Sequence, residues 1–194
     1  SGFLVAAVDY GLAPEFPFPA GVEDCDTAMR FILSGGLGDR GDVSNVVVIG
    51  ESAGGNLAAV ASMLARDRRL LSPEEPKIKA MVMIYPWLSL VEGTLSTESA
   101  KRLRDAWLVP ERTMRWFYQL YLPNGVDGLD QTARAKLNPI YSPNGLSGLP
   151  DTIMITAGLC PLQDEGIAFA RALEAAGVRV ISEPIPTAVH GHWS

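Results

Sequence analysis

Val46-Val-Val-Ile-Gly-Glu-Ser-Ala-Gly-Gly-Asn-Leu57 reads as an apolar strand, a tight turn around a serine and the first turn of a helix. Within it, Gly50-Glu51-Ser52-Ala53-Gly54 has the G-x-S-x-G spacing of a nucleophile elbow, in which a sharp strand-to-helix turn presents a serine hydroxyl above a sheet. Such a turn needs small residues beside the serine. The flanks support it: Val46 to Ile49 has no polar position, and Leu57, Ala58, Ala59, Val60, Ala61, Met63 and Leu64 leave the following helix almost no polar face, so it should lie buried on the sheet. The competing reading is a glycine-rich turn that merely lets strand and helix pack closely.

Similar apolar runs recur at Phe3 to Val8, Ala80 to Ile84, Thr152 to Ala157 and Val178 to Ile181. Runs that are apolar on both faces suit a buried parallel sheet. Between them lie segments of helical period, Val22, Cys25, Met29 and Ile32 in one and Ile167, Ala170 and Leu173 in another, the latter ended by Gly177. This alternation predicts an α/β fold with a mostly parallel sheet of about five strands flanked by helices. Residues 1–194 are read as one such domain, partial at its N-terminus, with a helical excursion at about 88–149. That excursion should contain a helix begun by Pro110 and Glu111 with Met114, Phe117 and Leu120 on one face, and should cover a site. The Arg66-Asp-Arg-Arg69 cluster reads as a solvated helix end.

Sixteen basic against 22 acidic residues give a net charge of −6, the wrong sign for nucleic acid or an anionic membrane surface. No apolar run approaches membrane-spanning length. The two cysteines, Cys25 and Cys160, stand far apart without His or Cys neighbours at metal-ligand spacing, which signals neither a disulfide framework nor a zinc site and fits a reducing, cytoplasmic setting. A start at Ser1 and a stop at Ser194 suggest a fragment or a processed chain.

A serine hydroxyl needs a base to become a nucleophile. The chain has two histidines, His190 and His192, both after the last strand candidate. His190 is the candidate base and His192 a solvent-side neighbour. The acid that orients the imidazole should stand at the end of the strand before it, where Gly158, Leu159 and Cys160 follow Ala157. The nearest carboxylates, Asp164 and Glu165, lie a turn further on. Asp164 is the candidate acid, although both also suit the N-terminus of a helix.

Six ordered blocks extend this pattern: Val8-Asp-Tyr-Gly-Leu-Ala-Pro-Glu-Phe-Pro-Phe-Pro-Ala20, Gly50 to Leu57, Asn138-Pro-Ile-Tyr-Ser-Pro143, Leu146-Ser-Gly-Leu-Pro150, Pro161-Leu-Gln-Asp-Glu-Gly166 and His190-Gly191. Together they resemble the hormone-sensitive-lipase-like esterases of the α/β-hydrolase fold across essentially the whole chain. The resemblance implies Ser52 as nucleophile, the Ala53 backbone N–H as an oxyanion donor and His190 as general base. It implies short acyl or aryl esters as substrates and neither a metal nor an organic cofactor.

The chain departs from the family pattern at two places: D-Y-R-L-A-P-E-H is Asp9-Tyr-Gly-Leu-Ala-Pro-Glu-Phe16 here, and the D-P-L that carries the triad acid is Cys160-Pro161-Leu162. The H-G-G-G oxyanion loop belongs upstream of Ser1. Loss of an oxyanion donor costs about 100- to 1,000-fold in rate, and of a functional triad acid about 10,000-fold. The expected function is therefore carboxylic ester hydrolysis through an acyl-enzyme, impaired. A catalytically silent small-molecule-binding protein on the same fold and an inactive fragment are the alternatives. The family strand order places a further strand between the Phe3 and Val46 runs. Without it, the Phe3 run should either pair directly with its new neighbour or stand away from a four-stranded remainder with exposed apolar edges.

Overall fold

The computed structural model describes residues 2–90 and 96–192. Four parallel strands form one sheet in the order β1-β2-β3-β4, with β1 at Val47–Glu51, β2 at Ala80–Ile84, β3 at Asp151–Leu159 and β4 at Val180–Val189. Helix α1 (Ala20–Leu33) precedes β1, α2 (Ala53–Leu71) joins β1 to β2, and α6 (Gln163–Ala175) joins β3 to β4. Among its described residues, the excursion between β2 and β3 carries the short helices α3 (Glu98–Arg102), α4 (Glu111–Tyr121) and α5 (Gln131–Leu137) and a 3-10 turn at Pro139–Tyr141.

Among the described residues the sheet has four strands rather than about five, the four-stranded remainder being one of the two outcomes expected. Phe3 to Val8 forms no strand, and Phe3 and Val5 are 77% and 81% exposed. Apolarity does not by itself make a strand: the run needs a ladder partner for its N–H and C=O groups, and it joins no ladder with β1. That edge is correspondingly bare, with Ile49 65% exposed.

Helix α2 meets its expectation of burial. Gly55 to Met63, together with Ala65 and Arg66, are buried, and Val60 and Met63 share a core cluster with Met81 and Met83 of β2 and Phe169 and Leu173 of α6. Helix α6 stops at Gly177, whose φ of +81° suits a residue without Cβ and lets Val178 N–H reach back to Leu173 O at 3.0 Å.

Within the cluster read as a solvated helix end, Arg69 is exposed but Arg66 is a second correction. Arg66 is buried, and its guanidinium donates to the carbonyl oxygens of Ser147 and Gly145 and to Ser142 Oγ while pairing with Asp67. A buried guanidinium with several acceptors holds a loop rather than solvating a helix end. It fastens the return of the excursion to α2. In α4, Met114 is buried as expected, but Phe117 remains 43% exposed. It faces a cavity instead of the core.

Candidate active site

Three chain reversals bring the site together. At the end of β1, Ser52 adopts φ 55° and ψ −116°, a conformation that side chains rarely take. Its N–H donates to Ile84 O at 2.9 Å, and its C=O accepts from Trp87 N–H at 3.1 Å, so the turn is locked to the end of β2. The glycine requirement falls unevenly. A Cβ on Gly50 would run into the Gly54 carbonyl, and one on Gly55 would come within 2.8 Å of Pro86 Cβ, whereas Gly54 itself faces open space. Of the two motif glycines only Gly50 is sterically obligatory, and the second obligatory glycine is Gly55, just outside the motif.

The second reversal follows β3 and the third follows β4. Opposite Gly158, where a Cβ would overlap the Pro186 backbone, β4 bulges by two residues, so that the register moves from Ala157 with Ile185 to Leu159 with Val189. The next residue on each strand is then Cys160 and His190, and these two side chains meet with Sγ 3.1 Å from Nδ1. On the other side of the ring, His190 Nε2 lies 2.9 Å from Ser52 Oγ. Ser52 and His190, separated by 138 residues in sequence, are thus within hydrogen-bond distance.

Asp164 is not at the imidazole. Its Oδ2 accepts from Ser99 N–H at 2.7 Å, and Ser99 Oγ in turn donates to Pro161 O at 2.8 Å. Glu165 is buried and takes the N–H groups of Leu88 and Ser89 at 2.7 and 2.9 Å, one on each oxygen. The two carboxylates of the first turn of α6 therefore tie down both sides of the start of the excursion. They do the capping-type work anticipated as their other reading, but for backbone outside their own helix. The atom at Nδ1 is the Cys160 sulfur, so the candidate acid Asp164 is replaced by Cys160 on geometry.

His192 is also corrected. Rather than facing solvent it packs on Tyr85 with ring centroids 5.3 Å apart, and its Nδ1 lies 3.1 Å from Val189 O. Tyr85, at 1% exposure, also packs on His190 at 4.7 Å and donates its hydroxyl to Glu51 Oε1 at 2.6 Å. Sequence reasoning missed Tyr85, because it sits beyond β2 among apolar residues and looked like ordinary core.

Burial dominates the electrostatics. It pushes the His190 imidazole down to about 4, opposed by the Glu51 charge and reinforced by His192, so the ring is neutral at pH 7. Burial pushes the Cys160 thiol up to about 12, partly offset by the Leu162 N–H that donates to its sulfur and raised further by Glu165. The group beside Nδ1 is a neutral thiol, not an anion.

Ser52 opens onto a cavity of about 390 Å³ walled by Tyr10, Trp87, Leu90, Met114, Phe117 and Leu162 among others, and among the described residues its lining carries no charged side chain. Several of these walls, among them Leu90, Val109, Met114 and Phe117, come from the excursion and share the lining with Ser52. Ala53, the first residue of α2, carries one of the N–H groups that a helix start leaves without an intrahelical acceptor. Among the described residues no helix is long and apolar enough to cross a membrane, and no cluster of three His, Cys, Asp or Glu could hold a metal ion.

A serine at a strained strand-to-helix turn, a histidine at its hydroxyl and a parallel sheet with covering helices define a hydrolase-type α/β architecture. The chain belongs to the α/β-hydrolase fold family, which matches residues 1–194. It is 34% identical over 191 residues to an ethyl acetate hydrolase of Pseudomonas putida, covering 98% of this chain and 56% of that protein. To the carboxylesterase NlhH of Mycobacterium tuberculosis it is 37% identical over 190 residues, covering 97% and 56%. Among solved structures, an esterase of Pyrobaculum calidifontis superposes with a TM-score of 0.82 at 35% identity, over 94% of this chain and 56% of that one. The chain thus spans a little over half the length of these relatives.

Proposed function

We propose that this chain carries the nucleophile and base of a carboxylic ester hydrolase. The observation that supports it most is the 2.9 Å approach of His190 Nε2 to Ser52 Oγ at the mouth of a largely apolar cavity. Ser52 Oγ attacks the ester carbonyl while His190 Nε2 takes its proton, and the oxyanion accepts the Ala53 N–H. Collapse of the tetrahedral intermediate passes that proton from His190 to the departing alcohol and leaves an acyl-serine. A water, deprotonated by the same imidazole, then releases the acid. The cavity suits uncharged esters with apolar or aromatic groups, because its described walls are mostly apolar and offer a charged substrate no partner. Both cysteines are free, which is compatible with the reducing, cytoplasmic setting inferred from cysteine usage. Residues 88–149 act as the cap of this single α/β unit.

Cys160 sets the rate. A neutral thiol either donates S–H to Nδ1, which leaves the proton on Nε2 and faces Ser52 with a donor, or accepts weakly from Nδ1–H. Neither supports the imidazolium as a carboxylate does, and the cost is about 10,000-fold in the chemical step. This same contact favours the second reading, a pocket that binds small apolar molecules without turning them over. Hydrolysis of p-nitrophenyl acetate and butyrate by the chain and by Ser52→Ala tests the first reading: a slow activity that disappears in S52A supports it, and equal rates in both contradict it.

A further inference from the structure

Glu51 has no part in the chemistry described above, yet it is coupled to the base through one ring. It ends β1, in register with Ile84, and its Oε1 takes a 2.6 Å hydrogen bond from the Tyr85 hydroxyl. The Tyr85 ring is buried and lies 4.7 Å from the His190 ring, tilted by 56°. Tyr85 also holds a φ of 32°, a strained value for a residue with a large side chain. Such strain persists where the surroundings over-determine a conformation, and it concentrates at functional sites. Here the N–H of Tyr85 is held by Ile155 O at 2.7 Å, which fixes the ring between Glu51 and the two histidines.

Among the described residues, the other groups around His190 supply no negative charge. Ser52, from the β1–α2 turn, and Cys160, from the β3–α6 loop, are neutral, and His192, on the same segment, disfavours a second positive charge. On α6, Glu165 directs its oxygens to Leu88 and Ser89 N–H, and Asp164 directs Oδ2 to Ser99 N–H. Of the carboxylates, Glu51 is the one whose charge favours protonation of His190.

We propose that Glu51, oriented by the Tyr85 hydroxyl, is a positioning residue that stabilises the His190 imidazolium formed when Ser52 attacks, taking over part of what a carboxylate at position 160 would supply. The inference rests on the hydrolase reading for its chemical step. In that step the Ser52 O–H bond breaks, its proton goes to His190 Nε2, the new O–C bond forms and the carbonyl π pair moves onto oxygen. Glu51 gains and loses no proton. It acts through space past the tyrosine ring, where low polarity keeps charges effective over several ångströms.

The test uses the full chain in two measurements. The first is the rate of Ser52 labelling by a fluorophosphonate as a function of pH, at saturating probe. Glu51→Gln is expected to lower the plateau rate about tenfold and to move the acid limb about one unit toward lower pH, because the base has become weaker. Tyr85→Phe should move both the same way by less, and Glu51→Asp, which keeps the charge, should restore most of the limb. The second is the NMR titration of the His190 ring, which does not depend on Ser52 reacting. The E51Q ring should remain neutral at the pH where the wild-type ring is half protonated. An unmoved limb and an unmoved ring titration in E51Q overturn the proposal, as does an E51D variant as defective as E51Q. A chain that never labels, but whose ring titration is shifted by E51Q, supports the Glu51–His190 link and contradicts the hydrolase reading instead.

Discussion

Cys160 Sγ sits 3.1 Å from His190 Nδ1, where a triad acid would place a carboxylate oxygen. The register pair Leu159 and Val189 puts it there, so position 160 is geometrically sound and chemically altered. Cys160→Asp should therefore supply the missing acceptor, fix the proton on Nδ1 and raise the rate of p-nitrophenyl butyrate hydrolysis by at least ~100-fold. Asp164→Asn should leave that rate within about threefold of its parent and instead cost about 1–2 kcal/mol of stability through the lost hold on Ser99. The reverse pattern, with D164N abolishing activity and C160D neutral, would show Asp164 to be the working acid.

The elbow makes a steric prediction. Gly50→Ala drives a methyl into the Gly54 carbonyl of the helix backbone, which cannot swing aside, so the variant should lose several kcal/mol or fail to fold. Gly54→Ala meets nothing within 4 Å and should fold with stability within about 1 kcal/mol of the parent. Thermal melts of the pair check this directly.

Burial of His190 has a pH signature. Its pKa of about 4 in the folded chain lies below the ~6.5 of an unfolded histidine, so between these values the unfolded state binds a proton that the folded state does not. This group adds its full contribution above pH ~6.5, and stability falls as pH drops through that window, by up to about 1.4 kcal/mol per unit. His190→Gln should flatten this part of a denaturant-midpoint profile measured from pH 7 to 4. An unchanged slope would mean that His190 is not held neutral.

Glu165 should matter to the excursion more than to chemistry. Removing its charge in Glu165→Gln weakens two charge-assisted bonds to Leu88 and Ser89 and converts one oxygen into an NH₂ that cannot accept. A destabilisation of about 2–3 kcal/mol is expected. Faster proteolysis between Trp87 and Trp107 would locate it.

Much of this was legible from residue patterns, and what was not has physical reasons. The β2 run Ala80 to Ile84 emerged with its own boundaries, and the bareness of a polar face on α2 translated directly into burial. Phe3 to Val8 misled because hydrophobicity reports burial preference, not the presence of a hydrogen-bonding neighbour. Ser52 and His190 were readable from local turn chemistry and chain order. Position 160 was readable as the acid position only through the resemblance, because its meeting with Nδ1 depends on a two-residue register shift of β4 opposite Gly158, which no periodicity encodes. Arg66, Glu165 and Tyr85 were misjudged or missed for a common reason: each makes its defining contacts with residues more than 30 positions away.

The central claim, that Ser52 is a nucleophile activated by His190, is tested most directly by fluorophosphonate labelling of the chain followed by peptide mass mapping. The predicted result is one adduct per chain on the peptide containing Ser52, formed slowly, lost in Ser52→Ala, strongly slowed in His190→Gln and accelerated in Cys160→Asp. Labelling elsewhere, or at equal rates in the parent and H190Q, would contradict it.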